Sequence, residues 1–266
     1  MHGEESARPD RRETQAAVTS SVLSGSPEAW RERLRGRVVV VSPHSDDAIM
    51  SLGATIAWAA QAGATIDVLT VFALIPSSVA PTGPWDAKSG FVTEGQAATA
   101  RREEDRRACA VLGANPRWLD FGAEPYERRG SDDDIWGAVQ AATQGADLVL
   151  IPGFPLLHPD HAYLSELLLR RGLSGRCTVL YAEQPYVFTH RMAPSGASVA
   201  AALKPLIGAD LSWTRVRTER AHRQAKLKAV RCYRTQLPLL GLRHIGLYRM
   251  LWREGAQGGE AVAWLS

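Results

Sequence analysis

Two short clusters in this chain hold residue types that bind cations and move protons. One is Ser42-Pro43-His44-Ser45-Asp46-Asp47 and the other is His158-Pro159-Asp160-His161. His44, Asp47 and His161 together offer two imidazoles and one carboxylate, a donor set that suits zinc, or ferrous iron as the alternative, with a coordination position left for water. An open position marks a catalytic ion rather than a structural one. Asp46 sits beside a ligand and is free to act as a base, and His158, three residues before His161, is spaced to line the same cleft. Taken singly, each cluster has a plainer reading. An Asp pair after a strand caps the next helix, and Pro-Asp is ordinary turn chemistry.

The elements around the clusters raise both above that reading. Arg37 to Ser42 is a continuous β-branched run, the pattern of a strand buried on both faces. The first cluster follows it directly. The second follows a predicted strand over Asp147 to Ile151. Further strands are predicted over 65–72, 117–121 and 177–182, and helices over 51–62, 97–112, 132–143, 161–171 and 218–236. Strands alternating with helices predict a Rossmann-like, three-layer α/β/α fold with a mostly parallel sheet, whose ligand crevice lies beyond the carboxyl ends of the strands. Both clusters fall at such ends. Residues 1–27 read as a mobile polar arm and 28–36 as a short helix. Residues 28–266 form a single domain, in which 189–266 is a substrate-shaping C-terminal part. The long Pro- and Gly-containing loop over 74–96 has the length of a lid or binding loop. Glu183, near the end of the fifth strand, is a candidate partner for a ligating His.

Composition narrows the class. The chain has 266 residues, 45% hydrophobic and 22% charged, as in a soluble globular protein. No apolar run reaches the roughly 18 residues of a membrane-spanning helix. The N-terminus carries no hydrophobic signal segment, so the expected location is cytoplasmic. Three scattered cysteines make neither a disulfide framework nor a zinc-finger spacing. Between Arg215 and Arg253 stand eleven Lys or Arg and one acid, Glu219. The apolar residues interleaved with them fit a packed amphipathic helix better than a basic tail, so no nucleic-acid partner is expected. His190, His222 and His244 are isolated and read as surface or packed side chains.

The two clusters also resemble the motifs of the PIG-L, or LmbE-like, N-deacetylases. Pro43-His44-Ser45-Asp46-Asp47-Ala48 is similar to the first family motif, and His158-Pro159-Asp160-His161 to the second. Gly53 with Ile56, Arg101 with Glu104, Leu112-Gly113, and the late Lys226, Tyr233 and Gln236 extend the likeness over about residues 37 to 236. The resemblance implies a zinc-dependent amide hydrolase with His44, Asp47 and His161 on the metal and Asp46 as the base. Either Asp46 or an imidazolium of His158 then returns a proton to the leaving amine. Ser45 and Ala48 replace the usual Pro and Glu, positions that are neither ligand nor base. A Tyr that some members carry before the second motif is missing from Phe154-Pro155-Leu156-Leu157. That absence shifts oxyanion stabilisation toward the metal and His158.

The implied partner is a small acetylated amino sugar or glycoside, with a glycosylated antibiotic or its pseudodisaccharide precursor as the favoured substrate. Arg101, Arg102 and Trp85 are the candidate substrate contacts. A thiol-conjugate amidase with the same fold and metal is the nearest rival. A non-catalytic nucleotide-binding module is disfavoured, because the loop after the first strand lacks a Gly-rich fingerprint. The oligomeric state is not readable from the chain.

Overall fold

The computed structural model describes residues 32, 34–77, 79–123, 130–173, 177–194, 200, 201, 203–207, 211–241 and 244–265. The arm expected over 1–27 and most of the short helix expected over 28–36 lie outside them. Strand β1 (Arg37–Ser42) coincides with the β-branched run, and all but its first residue are buried. Its alternate side chains feed two separate apolar layers. Val38 and Val40 pack on one face of the sheet, and Val39 and Val41 on the other. This two-sided burial is why the run is continuous rather than alternating.

The remaining strands are β2 (Thr65–Thr70), β3 (Asn115–Trp118), β4 (Leu148–Phe154), β5 (Cys177–Ala182), β6 (Trp213–Val216) and β7 (Glu260–Trp264). Their order across the sheet is β3-β2-β1-β4-β5-β7-β6. The first five are parallel, and β7 runs antiparallel to both β5 and β6. The Rossmann-like, mostly parallel expectation therefore describes the fold. The strand order reverses between β1 and β4, and the crevice past their carboxyl ends is the switch point at which such sheets hold ligands.

The helices are α1 (Asp47–Gln61), α2 (Pro84–Ala87), α3 (Glu94–Leu112), α4 (Asp132–Ala142), α5 (Pro159–Arg171), α6 (Tyr186–Thr189), α7 (Lys204–Ile207), α8 (Arg220–Val230) and α9 (His244–Ala256). One layer takes Ile49 and Leu52 of α1, Cys109 and Leu112 of α3, Val230 of α8 and Met250 of α9. The opposite layer takes Ile135 and Val139 of α4 and Leu164 and Leu168 of α5. Local signals set the ends. Thr93 and Gln96 form a reciprocal capping box at the start of α3, and Gly113, at φ 74°, ends it in the left-handed conformation that a side chain resists.

Several expectations needed adjustment, among them the strand expected over 117–121, which runs Asn115–Trp118. Helix α1 begins four residues before the predicted Ser51, because Asp47 already belongs to its first turn. The helix predicted over 218–236 stops at Val230, where i→i+3 turns take over and carry Tyr233 inward. The last thirty residues, which show no clear period, supply α9 and β7.

Where α8 crosses α1, the approach is close. A Cβ on Gly53 would lie 2.8 Å from Lys226 Cγ. The Lys226 ammonium is fully buried, 2.7 Å from both Glu254 Oε2 and Glu260 Oε1. Burial works against its charge, but the two carboxylates outweigh that and raise its pKa. Glu260 also accepts from the mid-helix amides of Ala54 and Thr55 at 2.9 and 2.8 Å. One ion cluster thus ties α1, α8, α9 and β7 together.

Candidate metal centre and its cavity

The turn after β1 is shaped by its own polar side chains. Ser42 Oγ donates to the His44 carbonyl at 2.5 Å and accepts from the Ala48 amide at 3.0 Å. The His44 amide donates to Asp47 Oδ2 at 2.8 Å. Asp46 occupies the N-cap of α1, yet its side chain makes no capping bond. Its carboxyl therefore stays available to the cavity it lines. After β4, His158 caps α5. Its Nδ1 accepts from the Asp160 amide at 3.2 Å, Pro159 opens the helix, and His161 falls in the first turn. The two turns face each other because β1 and β4 are neighbours.

Each inward-facing imidazole is held by a buried carboxylate. His161 Nδ1 lies 2.5 Å from Glu183 Oε1, and Glu183 Oε2 accepts from the Leu156 amide at 3.0 Å. His44 Nε2 lies 3.0 Å from Asp160 Oδ2. Carboxylates only accept, so these contacts place the ring protons on His161 Nδ1 and His44 Nε2. The opposite lone pairs, on His161 Nε2 and His44 Nδ1, are then 3.2 Å apart. Asp47 Oδ2 completes a triangle at 3.1 Å from the first and 3.3 Å from the second.

With both rings neutral, three acceptor atoms so spaced form a set that suits a cation. The point equidistant from them lies about 1.8 Å from each, close to the ~2.0–2.2 Å of zinc–imidazole and zinc–carboxylate bonds. The carboxylate–imidazole pairing behind each ligand is the usual support of a metal site. The residues fit a divalent ion. His158 also stands within reach, since the ligand atoms of His44, His158 and His161 lie within 4.8 Å of one another.

Electrostatics separates the two adjacent acids. Burial raises the Asp46 carboxyl to about 7, and the neighbouring Asp47 charge adds to the effect. Burial also works to raise Asp47, but His161 and His44 hold it far below the usual carboxylate range. Asp47 is thus a permanent anion, and Asp46 is a group that exchanges protons near neutrality. His158 moves the other way. Burial, with the nearby His44 and His161, lowers it to about 4, so its ring is neutral at pH 7.

Above this centre lies a cavity of about 520 Å³, lined among others by Asp46, His158, Phe72, Trp85, Arg101 and Tyr186. Of the predicted substrate contacts, Arg101 pairs with the buried Asp86. Arg102 binds the Ala73 carbonyl at 2.7 Å and Asp120 at 2.5 Å. Trp85 is half-exposed on α2. All three line the cavity.

Sequence reasoning missed two groups. Asp160 read as turn chemistry, although its place one residue before a ligand in the first helical turn was the available signal. Tyr186 gave no signal at all. It arrives from α6, stacks edge-on against His161 at 5.6 Å between centroids, and its hydroxyl has no hydrogen-bond partner among the described residues.

Residues 39–171, which contain both His clusters, match the family model described as PIG-L, GlcNAc-PI de-N-acetylase. A 2'-N-acetylparomamine deacetylase of Streptomyces fradiae is 33% identical over 175 residues, which cover 59% of this chain and 60% of that relative's length. The crystal structure of the A40926 pseudoaglycone deacetylase superposes with a TM-score of 0.71 at 28% identity, covering 87% of this chain and 97% of that one. A triple mutant of a deacetylase in the teicoplanin biosynthetic pathway gives 0.70 at 26% identity, over 86% and 96%. The chain belongs to the PIG-L (GlcNAc-PI de-N-acetylase) family.

Proposed function

We propose that this chain is a metal-dependent N-deacetylase that hydrolyses the acetamide of an N-acetylated amino sugar on a glycosylated natural product or its precursor. The observation that carries the reading is the triangle of His44 Nδ1, His161 Nε2 and Asp47 Oδ2, 3.1–3.3 Å on a side, with the uncapped Asp46 lining the cavity beside it. Burial and the Asp47 charge push the Asp46 carboxyl up to about 7. His44, Asp47 and His161 would hold zinc, with ferrous iron as the alternative. When bound, the ion polarises the amide carbonyl and lowers the pKa of water from 15.7 toward about 7.

The chain's own groups handle protons and orientation. Asp46 accepts a proton from the attacking water and passes it to the leaving nitrogen, a role that general acid–base catalysis matches to a pKa near the working pH. His158 does not serve as an imidazolium, since its ring is neutral. With Nδ1 accepting from Asp160, its proton sits on Nε2, where it is a neutral donor. The Tyr186 hydroxyl is a second neutral donor on the same cavity. Burial, then Asp47 and Asp46, push its pKa upward and keep it protonated. These two groups are the donors for the developing oxyanion, and Tyr186 takes the part left open by Phe154-Pro155-Leu156-Leu157. A cavity of about 520 Å³ accommodates a sugar pair, with Trp85 and Phe72 as stacking surfaces.

The test is acetate release by the metal-loaded chain. The arms are N-acetylated aminocyclitol pseudodisaccharides, acylated glycopeptide sugars and N-acylated thiol conjugates. Turnover is expected in the glycoside arms. Asp46→Asn is expected to keep its metal and lose about 10²–10⁴-fold in kcat. Cleavage of the thiol conjugates alone would move the substrate reading to the rival amidase, and full turnover by Asp46→Asn would defeat the mechanism.

A further inference from the structure

The peptide between the His44 ligand candidate and the base is gripped from distant parts of the chain. The Tyr233 hydroxyl, just past α8, lies 2.7 Å from the Ser45 carbonyl oxygen and 2.8 Å from Asp105 Oδ1 on α3. Tyr233 and Asp105 are both sealed from solvent. Asp105 Oδ2 accepts from Trp118 Nε1 at 2.8 Å and from Thr70 Oγ1 at 3.4 Å.

A phenol has one proton, and here two acceptors stand within bonding distance of it. With Asp105 ionised, the charge-assisted bond takes that proton. The Ser45 oxygen is then left against a phenol lone pair in a dry interior, where an unmet acceptor is costly. With a proton on Asp105 Oδ1, the carboxyl donates to the phenol oxygen and the phenol donates to Ser45. Both short contacts are then satisfied, and Oδ2 keeps its two donors.

We propose that neutral Asp105 is the working form, and that the Asp105–Tyr233 pair is a positioning device that fixes the Ser45–Asp46 peptide and thereby aims the Asp46 carboxyl. Asp46 has no capping bond of its own, so its direction depends on its backbone. Burial supports the assignment by pushing the Asp105 carboxyl up to about 7, against the three hydrogen bonds from Tyr233, Trp118 and Thr70. Among the described residues, the titratable groups around it are the Tyr233 hydroxyl and the Cys109 thiol one turn along α3, with Asp46 beyond Tyr233. Strands β2 and β3 present the neutral donors Thr70 and Trp118. Raising the pH through 7 moves the phenolic proton toward Asp105 and frees the Ser45 carbonyl.

Asparagine at 105 copies the neutral acid, with its N–H toward the phenol and its oxygen toward Trp118 and Thr70. The folded carboxyl binds its proton more tightly than the unfolded one (about 3.9). Its stabilising contribution is therefore full below pH 4 and lost as pH rises through about 7. Asp105→Asn abolishes that loss. The experiment compares wild type, Asp105→Asn and Tyr233→Phe by steady-state kinetics, bound metal, and melting of the metal-free proteins at pH 5 and pH 8.

Tyr233→Phe is expected to lower kcat about tenfold or more, with KM and metal content unchanged. Asp105→Asn is expected to stay within about threefold of wild-type kcat at pH 6.5 and to fall less than wild type at pH 8.5. Its melting temperature relative to wild type should rise from pH 5 to pH 8. An Asp105→Asn enzyme as slow as Tyr233→Phe, or a melting difference that does not grow with pH, would overturn the proposal. The kinetic arm rests on the deacetylase reading and the melting arm does not. A wild type inert on every amide would sink that reading while the melting comparison still decides the protonation state.

Discussion

Glu183 accepts at both of its oxygens, from the His161 ring and from the Leu156 amide. Glutamine has a single accepting atom, so Glu183→Gln must leave one of these donors facing an N–H. If the ring loses its partner, His161 is freed to rotate or to carry its proton on the inward nitrogen. Removing such a partner costs about 10–100-fold in metal affinity, and that loss is the outcome expected from competitive chelator titration. Affinity within about twofold of wild type would mean that the buried pair does not orient the ligand. The two imidazoles also compete for protons. Burial disfavours their charge, but Asp160 and Asp47 raise the pKa of His44, and Asp47 with Glu183 raises that of His161. Metal binding should therefore weaken toward acid pH, as protons reclaim the lone pairs.

At the scale of elements, Gly53 shows how close packing can reverse a propensity. Alanine in place of glycine inside a helix ordinarily stabilises by about 1 kcal/mol. Here the added Cβ meets Lys226 Cγ at 2.8 Å, and Lys226 cannot swing aside because its ammonium is pinned by Glu254 and Glu260. Gly53→Ala is expected to destabilise by about 1–3 kcal/mol, as overpacking does. A denaturant midpoint equal to or above wild type would contradict it. This junction also marks the limit of what can be read from the chain. The β-branched run at Arg37–Ser42 and the glycine stop at Gly113 are local signals, and both appear where the composition places them. The two His clusters are legible because each follows a strand. Asp105 meeting Tyr233, and Tyr186 meeting His161, depend on segments joined only by folding, and no spacing in the sequence announces them. The same holds for β6 and β7, whose antiparallel pairing closes the sheet from a region with no sustained period.

Across the whole molecule, His44 and His161 are separated by 117 positions and come from opposite sides of the reversal in strand order. An ion shared by them would act as a cross-link between the two halves of the parallel sheet, holding β1 and β4 together at their open ends. Anything that binds only the folded chain stabilises it, by about 4 kcal/mol when free ligand is a thousand times its Kd. For a domain of this size that corresponds to a rise of roughly 8–16 °C in Tm. Stripping the ion with a chelator is expected to lower the melting temperature by that order, and re-adding zinc should restore it. An unchanged melting curve would place the cation elsewhere. The apo chain would then be not only inactive but softest at its own active-site mouth, so a protease should nick the turns at 43–47 and 155–158 first. Loading with metal would thereby double as a test of maturity, sparing chains that have acquired their ion and exposing those that have not.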